Sequence, residues 1–450
     1  MVDHSGSRGV PLTADLSGRS LFIQVYCQNQ MRENNMMVQL KQLRRWPIAV
    51  VLSLFALGCQ EGKIVDAPVL LERGELISTN SLGTYSPTQI QQILAAMNAN
   101  LPYSLTNSVQ VISVQYASVD GDGKSEHLSG ALMIPSGTTI RLPLLSLQHG
   151  TQTKRDLVAS QSPVSSVEGI VGLVSASAGY VTVVPDYPGF GISNRMHPYL
   201  HARSLVPGVV DFMRAARSYC ANNGVALDGR IFLTGYSEGG YVTLASQKEI
   251  EKNYSNEFNL AAVAPMAGPY DLRGTMQNMF QQGTYSTPAY IAFFLTAYDD
   301  LYNWNRLSGF FKSPYASRMR GLFDGSKTWG EVVSQLPSSF SELMNPDFVA
   351  RVLAGTETAV ISAIDENTLL NWAPRSPIHF FHGDADDVSP YQNALTAVAA
   401  LKANGGTDIK LTTIAGGNHA TASLPSVLGA IDWFESIRTG GQRKVTRPLS

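Results

Sequence analysis

The sequence predicts an α/β fold, in which a mostly parallel central sheet is flanked by helices and interrupted late in the chain by a helical insertion. Three observations carry this. Six short runs, LPLLSLQ, YVTVVPD, RIFLTG, LAAVAPMAG, PIHFFHG and DIKLTTIAG, are apolar on both faces. That is the pattern of strands covered on both sides, as in a parallel sheet. Helical stretches separate them, as crossovers between parallel strands require. One interval, between Asp271 and Pro377, has no comparable run. It carries TPAYIAFFLTAYDDLYNW, RLSGFFKSPYASRMRGLF and DFVARVLAG, which read as helices rich in Phe, Tyr and Leu.

The chain is long enough for such a core. It has 450 residues, 44% of them hydrophobic and 15% charged, which suits one large domain or one domain with a sizeable insertion. The formal net charge is -2, and no long block of like charge interrupts it. Nothing therefore points to nucleic acid or to a strongly charged partner.

Residues 1–59 read as an upstream extension and a signal peptide. Lys41, Arg44 and Arg45 precede WPIAVVLSLFALGC, an apolar run ending at Cys59. A basic segment, an apolar core of about a dozen residues and a small residue before the cut describe a signal peptide. The core is too short for a transmembrane helix, which needs about 20 apolar residues. The ending ALGC is similar to the lipobox of bacterial lipoproteins, which implies lipidation at Cys59 and membrane attachment through that lipid. Ala56 and Leu57 depart from the usual pattern, and a plain secretory signal is the other reading. The segment ahead of Met36 and Met37 is polar and aperiodic, so either methionine makes a better start. The expected location is outside the cytoplasm, as an envelope lipoprotein at the periplasm or outer surface, or as a secreted protein. Besides Cys59, Cys220 is then the one cysteine of the mature chain, so no internal disulfide supports the fold. Its place at the end of a helix reads as a half-buried small apolar residue.

Residues 60–82 read as a tether. SPTQIQQILAAMNAN reads as a helix capped by Ser86, with Ile90, Ile93, Leu94 and Met97 on one face. VQVISVQYASV and LSGALMIP alternate as strands around the turn DGDGKSE and make a hairpin. The turn is not a calcium loop. Lys124 stands where an oxygen ligand belongs, and Ala131 where a bidentate Glu belongs. Residues 83–271 and 377–440 then form the core, and 272–376 a helical cap. The cap covers the sheet edge or roofs an apolar pocket, and its aromatic density favours the roof.

The chemistry collects at the carboxyl ends of the parallel runs, where such sheets bind ligands. Gly235-Tyr236-Ser237-Glu238-Gly239-Gly240 crosses from a strand into a helix. A G-x-S-x-G turn in that context strains the serine backbone and lifts its hydroxyl above the sheet. A serine hydroxyl needs a base, a group to orient the base, and donors for an oxyanion. The base assigned is His419, in IAGGNHATAS, after the last strand. Of the other histidines, His4 lies in the leader and His127 in the hairpin. His197 and His201 could line a pocket, His379 and His382 read as structural, and His149 precedes the proposed oxyanion loop. For the carboxylate, Asp384, Asp386 and Asp387 compete after PIHFFHG. Asp386 has the phase expected of an acid loop, and Asp387 is the runner-up. The oxyanion donors assigned are the backbone N–H groups of Glu238 and of Thr151, in HGT. A backbone donor does not depend on its side chain, so Glu238 need not act through its carboxylate.

With HGT, DYPGFGIS, GYSEGG, HGDADDVSP and GNHA in this order, the chain resembles the α/β-hydrolase superfamily from about Val109 to Ile437. More narrowly it is similar to the secretory lipase family, which includes fungal lipase A and bacterial secreted esterases. The resemblance implies a hairpin entry and a helical lid before the acid strand. It also implies hydrolysis of a small-molecule or lipid ester through an acyl-enzyme, with no metal and no organic cofactor. The chain is expected to act as a monomer. Two other readings stay open: a serine peptidase of the prolyl-oligopeptidase type, against which stands the lack of propeller repeats, and a non-catalytic surface lipoprotein that keeps the fold for binding.

Overall fold

The computed structural model describes residues 71–97, 99 and 105–440. The expected signal peptide, the start at Met36 or Met37, the lipidation at Cys59 and residues 60–70 of the tether lie outside the described residues. No helix among the described residues is long and apolar enough to cross a membrane.

The chain enters through β1 (Leu76–Tyr85), α1 (Pro87–Ala96), β2 (Val109–Val119) and β3 (Ser125–Pro135). Next come β4 (Leu142–Gln148), α2 (Val167–Ser177), β5 (Val181–Pro185), α3 (Ala202–Asn222), β6 (Leu227–Tyr236), α4 (Glu238–Asn253) and β7 (Asn259–Met266). An insert follows, with α5 (Leu272–Gln282), α6 (Ala289–Leu301), several helical turns, α7 (Pro346–Leu353) and α8 (Thr358–Asn367). The chain returns through β8 (Ile378–Gly383), α9 (Gln392–Ala403), β9 (Ile409–Ile414) and α10 (Ser423–Arg438).

The nine strands form one sheet in the order β1-β2-β3-β5-β4-β6-β7-β8-β9. All six expected parallel runs, β4 to β9, pair in parallel. The hairpin β2–β3 is antiparallel and joins them through an antiparallel β3–β5 pair. This is the α/β-hydrolase fold. Strand β4 has β5 on one side and β6 on the other, so the direction of winding reverses there. The crevice at such a switch point, beyond the carboxyl ends of the strands, is where open α/β sheets bind ligands.

Three local details differ from the sequence reading. The first is that residues 76–82, expected in the tether, belong to β1, which pairs with β2 along an edge of the sheet. Its side chains are mostly exposed, so it lacks the alternation that reveals a half-buried strand. Backbone pairing alone defines it. Helix α1 is capped as expected: Ser86 Oγ accepts from Gln89 N, and Gln89 Oε1 accepts from Ser86 N at 2.8 Å. The second difference is Met97, which stands at the C-cap and is exposed, while Ile90 and Leu94 are buried. The third is Cys220, which is fully and not half buried, and burial pushes its thiol pKa up to about 12. In the hairpin turn, Asp120 Oδ1 accepts from the N–H groups of Asp122 and Lys124, both at 2.9 Å. That oxygen is spent on closing the turn.

Candidate active site

Ser237 sits between β6 and α4 with φ 61° and ψ −122°, a conformation that costs a non-glycine residue on the order of 1–3 kcal/mol. The surrounding backbone imposes it. Ser237 N donates to Met266 O at 2.9 Å, and Ser237 O accepts from Tyr241 N at 3.2 Å. A Cβ at Gly239 would collide with Gln148 O of β4, and one at Gly240 with Met266 O of β7. These glycines let α4 start directly against two strands, which lifts the serine to the sheet edge.

His419 follows β9. Its ring Nε2 lies 2.9 Å from Ser237 Oγ, and its Nδ1 lies 2.8 Å from Asp386 Oδ2. The three expected residues, up to 182 positions apart in sequence, thus form one hydrogen-bonded line. Two contacts that the sequence does not announce hold the histidine's main chain. Tyr236 OH donates to His419 O at 2.7 Å, and His419 N donates to Asp387 Oδ1 at 3.3 Å.

The three competing carboxylates receive three different tasks. Asp384 Oδ1 accepts from Gly416 N at 2.6 Å and pins the turn ahead of the histidine. Asp387 holds the His419 main chain. Asp386 alone faces the ring. Its Oδ1 accepts from Val388 N at 3.0 Å and Ser389 N at 2.8 Å. Burial works against its charge, but hydrogen bonds with His382 and His419 outweigh it and bring its pKa down to about 2. It is therefore ionised wherever the imidazole is to be stabilised as a cation. His382, read as structural, is fully buried, with Nε2 2.8 Å from Ser389 O and 3.4 Å from Asp386 Oδ2.

Across the switch point, the loop after β4 carries Thr151. Gly150 N donates to Glu168 Oε1 in the first turn of α2 at 2.8 Å. His149 bridges Gly150 O and Asp186 O at 2.7 and 2.9 Å and stacks on Tyr187. The next N–H, that of Thr151, meets no acceptor among the described residues. Glu238 N is the first N–H of α4, and helix geometry gives it no intrahelical acceptor. Both assigned donors thus remain free to bind an oxygen.

A pocket with about 580 Å³ of empty space, part of it open to solvent, begins at Ser237 and Glu238. The insert lines much of the rest, with Leu272, Met276, Met279, Tyr290, Ile291 and Phe294. The connection between α5 and α6 is tied to the acid loop, since Tyr285 OH donates to Val388 O at 3.0 Å and Ser286 Oγ to Asp387 O at 2.5 Å. His201, one of the two histidines that could line a pocket, lies outside this one. It is buried against Ser204 and Tyr302, and burial lowers its pKa to about 4. The other, His197, is buried against the Glu238 carboxyl, a pairing the sequence did not suggest.

The chain belongs to the secretory lipase family, which it matches over residues 167–446, well over half its length. Among solved structures, it is similar to the rice cell wall degrading esterase LipA from Xanthomonas oryzae. The two share 29% identity with a TM-score of 0.74, over 82% of this chain and 100% of that one. A protein from Legionella pneumophila gives a TM-score of 0.76 at 23% identity, over 82% of this chain and 100% of that one. Candida antarctica lipase A in its closed state gives 0.62 at 15% identity, over 84% of this chain and 86% of that one. At those identities the last two are likenesses of fold. No curated protein matches the chain. The protein is a hydrolase of the lipase/esterase kind, and its substrates are small-molecule esters.

Proposed function

We propose that the protein hydrolyses carboxylic esters through a Ser237–His419–Asp386 triad and an acyl-enzyme. The carrying observation is the unbroken line from Asp386 Oδ2 through the His419 ring to Ser237 Oγ, with both contacts under 3 Å. His419 Nε2 takes the proton as Ser237 Oγ attacks the ester carbonyl. Asp386 keeps the imidazole oriented and stabilises its cationic form. The carbonyl oxygen, now an oxyanion, accepts hydrogen bonds from Thr151 N and Glu238 N. The His419 imidazolium then protonates the departing alcohol. Water deprotonated by the same ring attacks the acyl-serine and releases the acid.

The apolar lining contributed by residues 272–376 suits the acyl chain, and in this reading the insert acts as a lid. Family membership supports ester over peptide substrates. The family's secretory character supports export, with Cys59 as the proposed lipid anchor. The test is a fluorophosphonate probe, expected to label wild-type protein at Ser237 and to leave folded Ser237→Ala unlabelled. Absence of wild-type labelling would favour a fold kept for binding alone.

A further inference from the structure

We propose that His197 and Glu238 form a charge-neutral positioning pair that holds the residue supplying the second oxyanion donor and keeps its negative charge from opposing the reaction. The inference rests on the reading of Ser237 as nucleophile.

Glu238 directly follows Ser237, and its side chain is fully buried. A bare carboxylate there would stand one residue from an oxygen that gains negative charge during attack. Like charges that close repel strongly away from bulk water. His197 answers this. Its Nε2 lies 2.6 Å from Glu238 Oε1, and its Nδ1 lies 2.8 Å from Pro188 O. A carbonyl oxygen only accepts, so Nδ1 carries a hydrogen. Contact at 2.6 Å between Nε2 and a carboxyl oxygen then requires one hydrogen between them. With that proton on the carboxyl, both partners are neutral. With it on the ring, an imidazolium faces a carboxylate. The pair has no net charge either way.

His197 is the carboxyl group's one side-chain partner among the described residues, since Glu238 Oε2 has no hydrogen-bond partner there. The ring itself is fixed. It is 3% exposed, packs against Phe190 at 4.6 Å between ring centroids, and lies 5.8 Å from Phe293 of α6. The elbow is therefore tied to the loop after β5 and lies against the insert. Pulling Glu238 toward Pro188 sets the direction of the peptide whose N–H faces the reacting oxygen.

The experiment measures kcat and KM with a short-chain p-nitrophenyl ester, per site titrated by fluorophosphonate. His197→Phe removes the partner and strands the carboxyl, so kcat should fall about 10- to 100-fold with KM little changed. Adding Glu238→Gln to His197→Phe removes the stranded charge and should recover part of that loss. Affinity for a trifluoromethyl ketone, which forms the oxyanion, should fall in step with kcat/KM. Equal kcat in His197→Phe and the double variant would overturn the charge role. A loss confined to thermal stability or to the titratable fraction would overturn the pair's part in the reaction. Should His197→Phe not fold, Glu238→Ala must lose more turnover than Glu238→Gln, and equality of the two overturns the proposal. Wild-type protein that takes no label and shows no turnover would instead sink the reading of Ser237. Normal wild-type turnover with unaffected variants would sink this inference alone.

Discussion

The sheet edge and the helical insert border the same pocket by different means. The edge contributes Ser237 and Glu238, whose positions follow from backbone packed on backbone at Gly239 and Gly240. The insert contributes side chains packed on side chains. Phe293 of α6 stacks between Tyr199 and Phe323, with ring centroids 4.6 and 4.5 Å away. Backbone contacts allow little adjustment, because an added Cβ has nowhere to go. Side-chain packing tolerates swaps of similar volume at a cost of about 1.5 kcal/mol or less. The edge should therefore govern whether reaction occurs, and the insert which ester is preferred.

Substitutions in each region test that contrast. Ser237→Ala should lower kcat by about a million-fold, as in a comparable triad, with stability unchanged in a thermal melt. Asp386→Asn should lower kcat by about ten thousand-fold, since the ring loses the acceptor that orients it. Asp387→Asn, one residue away, should cost less than about tenfold, because it touches only the histidine's main chain. Near-equal losses from the two would mean that the geometry of the acid loop has been misassigned. In the insert, Met279→Ala or Ile291→Ala should widen the pocket. The kcat/KM ratio between eight-carbon and four-carbon acyl esters should move about 10- to 200-fold, with the better substrate still turned over well. Loss of all turnover would show that the roof also orients the chemistry.

Acid should act in part through the edge. The Asp386 pKa is depressed to about 2, so its stabilising contribution is fully present above the unfolded value near 3.8. It is lost as pH falls from there through 2, and amounts to on the order of 2 kcal/mol. Asp386→Asn should flatten the stability profile in that window, as read by urea melts at pH 2 to 5. Unchanged slopes would remove the carboxylate from the acid response. The smallest effect belongs to Cys220, buried and raised to about 12. Thiol reagents at pH 8 should leave native activity intact and label it only after unfolding.

Much of this was legible in the residues. Parallel strands buried on both faces must be apolar throughout, so β4 to β8 could be read as runs, whereas β9, at the opposite edge of the sheet, is only partly buried. The elbow was legible because its geometry needs small residues at fixed spacing around one serine. The order of Ser237, Asp386 and His419 followed from strand order. Less local features were hidden. Edge strand β1 buries little, so its sequence carries no alternation. Tyr236 OH on His419 O, spanning 183 positions, has no local signature because either residue could occur without the other.

Local residue pattern thus set which strands form, where the chain turns sharply, and which residue types stand at the sheet's carboxyl edge, since each depends on hydrophobic period or backbone sterics within a few residues. Packing of distant segments was needed to show that Asp386 and not its two neighbours faces the ring, that His197 meets the Glu238 carboxyl, and that the insert's apolar side chains border Ser237. Those outcomes depend on distances between segments far apart in the chain, and such distances exist only once the sheet has closed its packing.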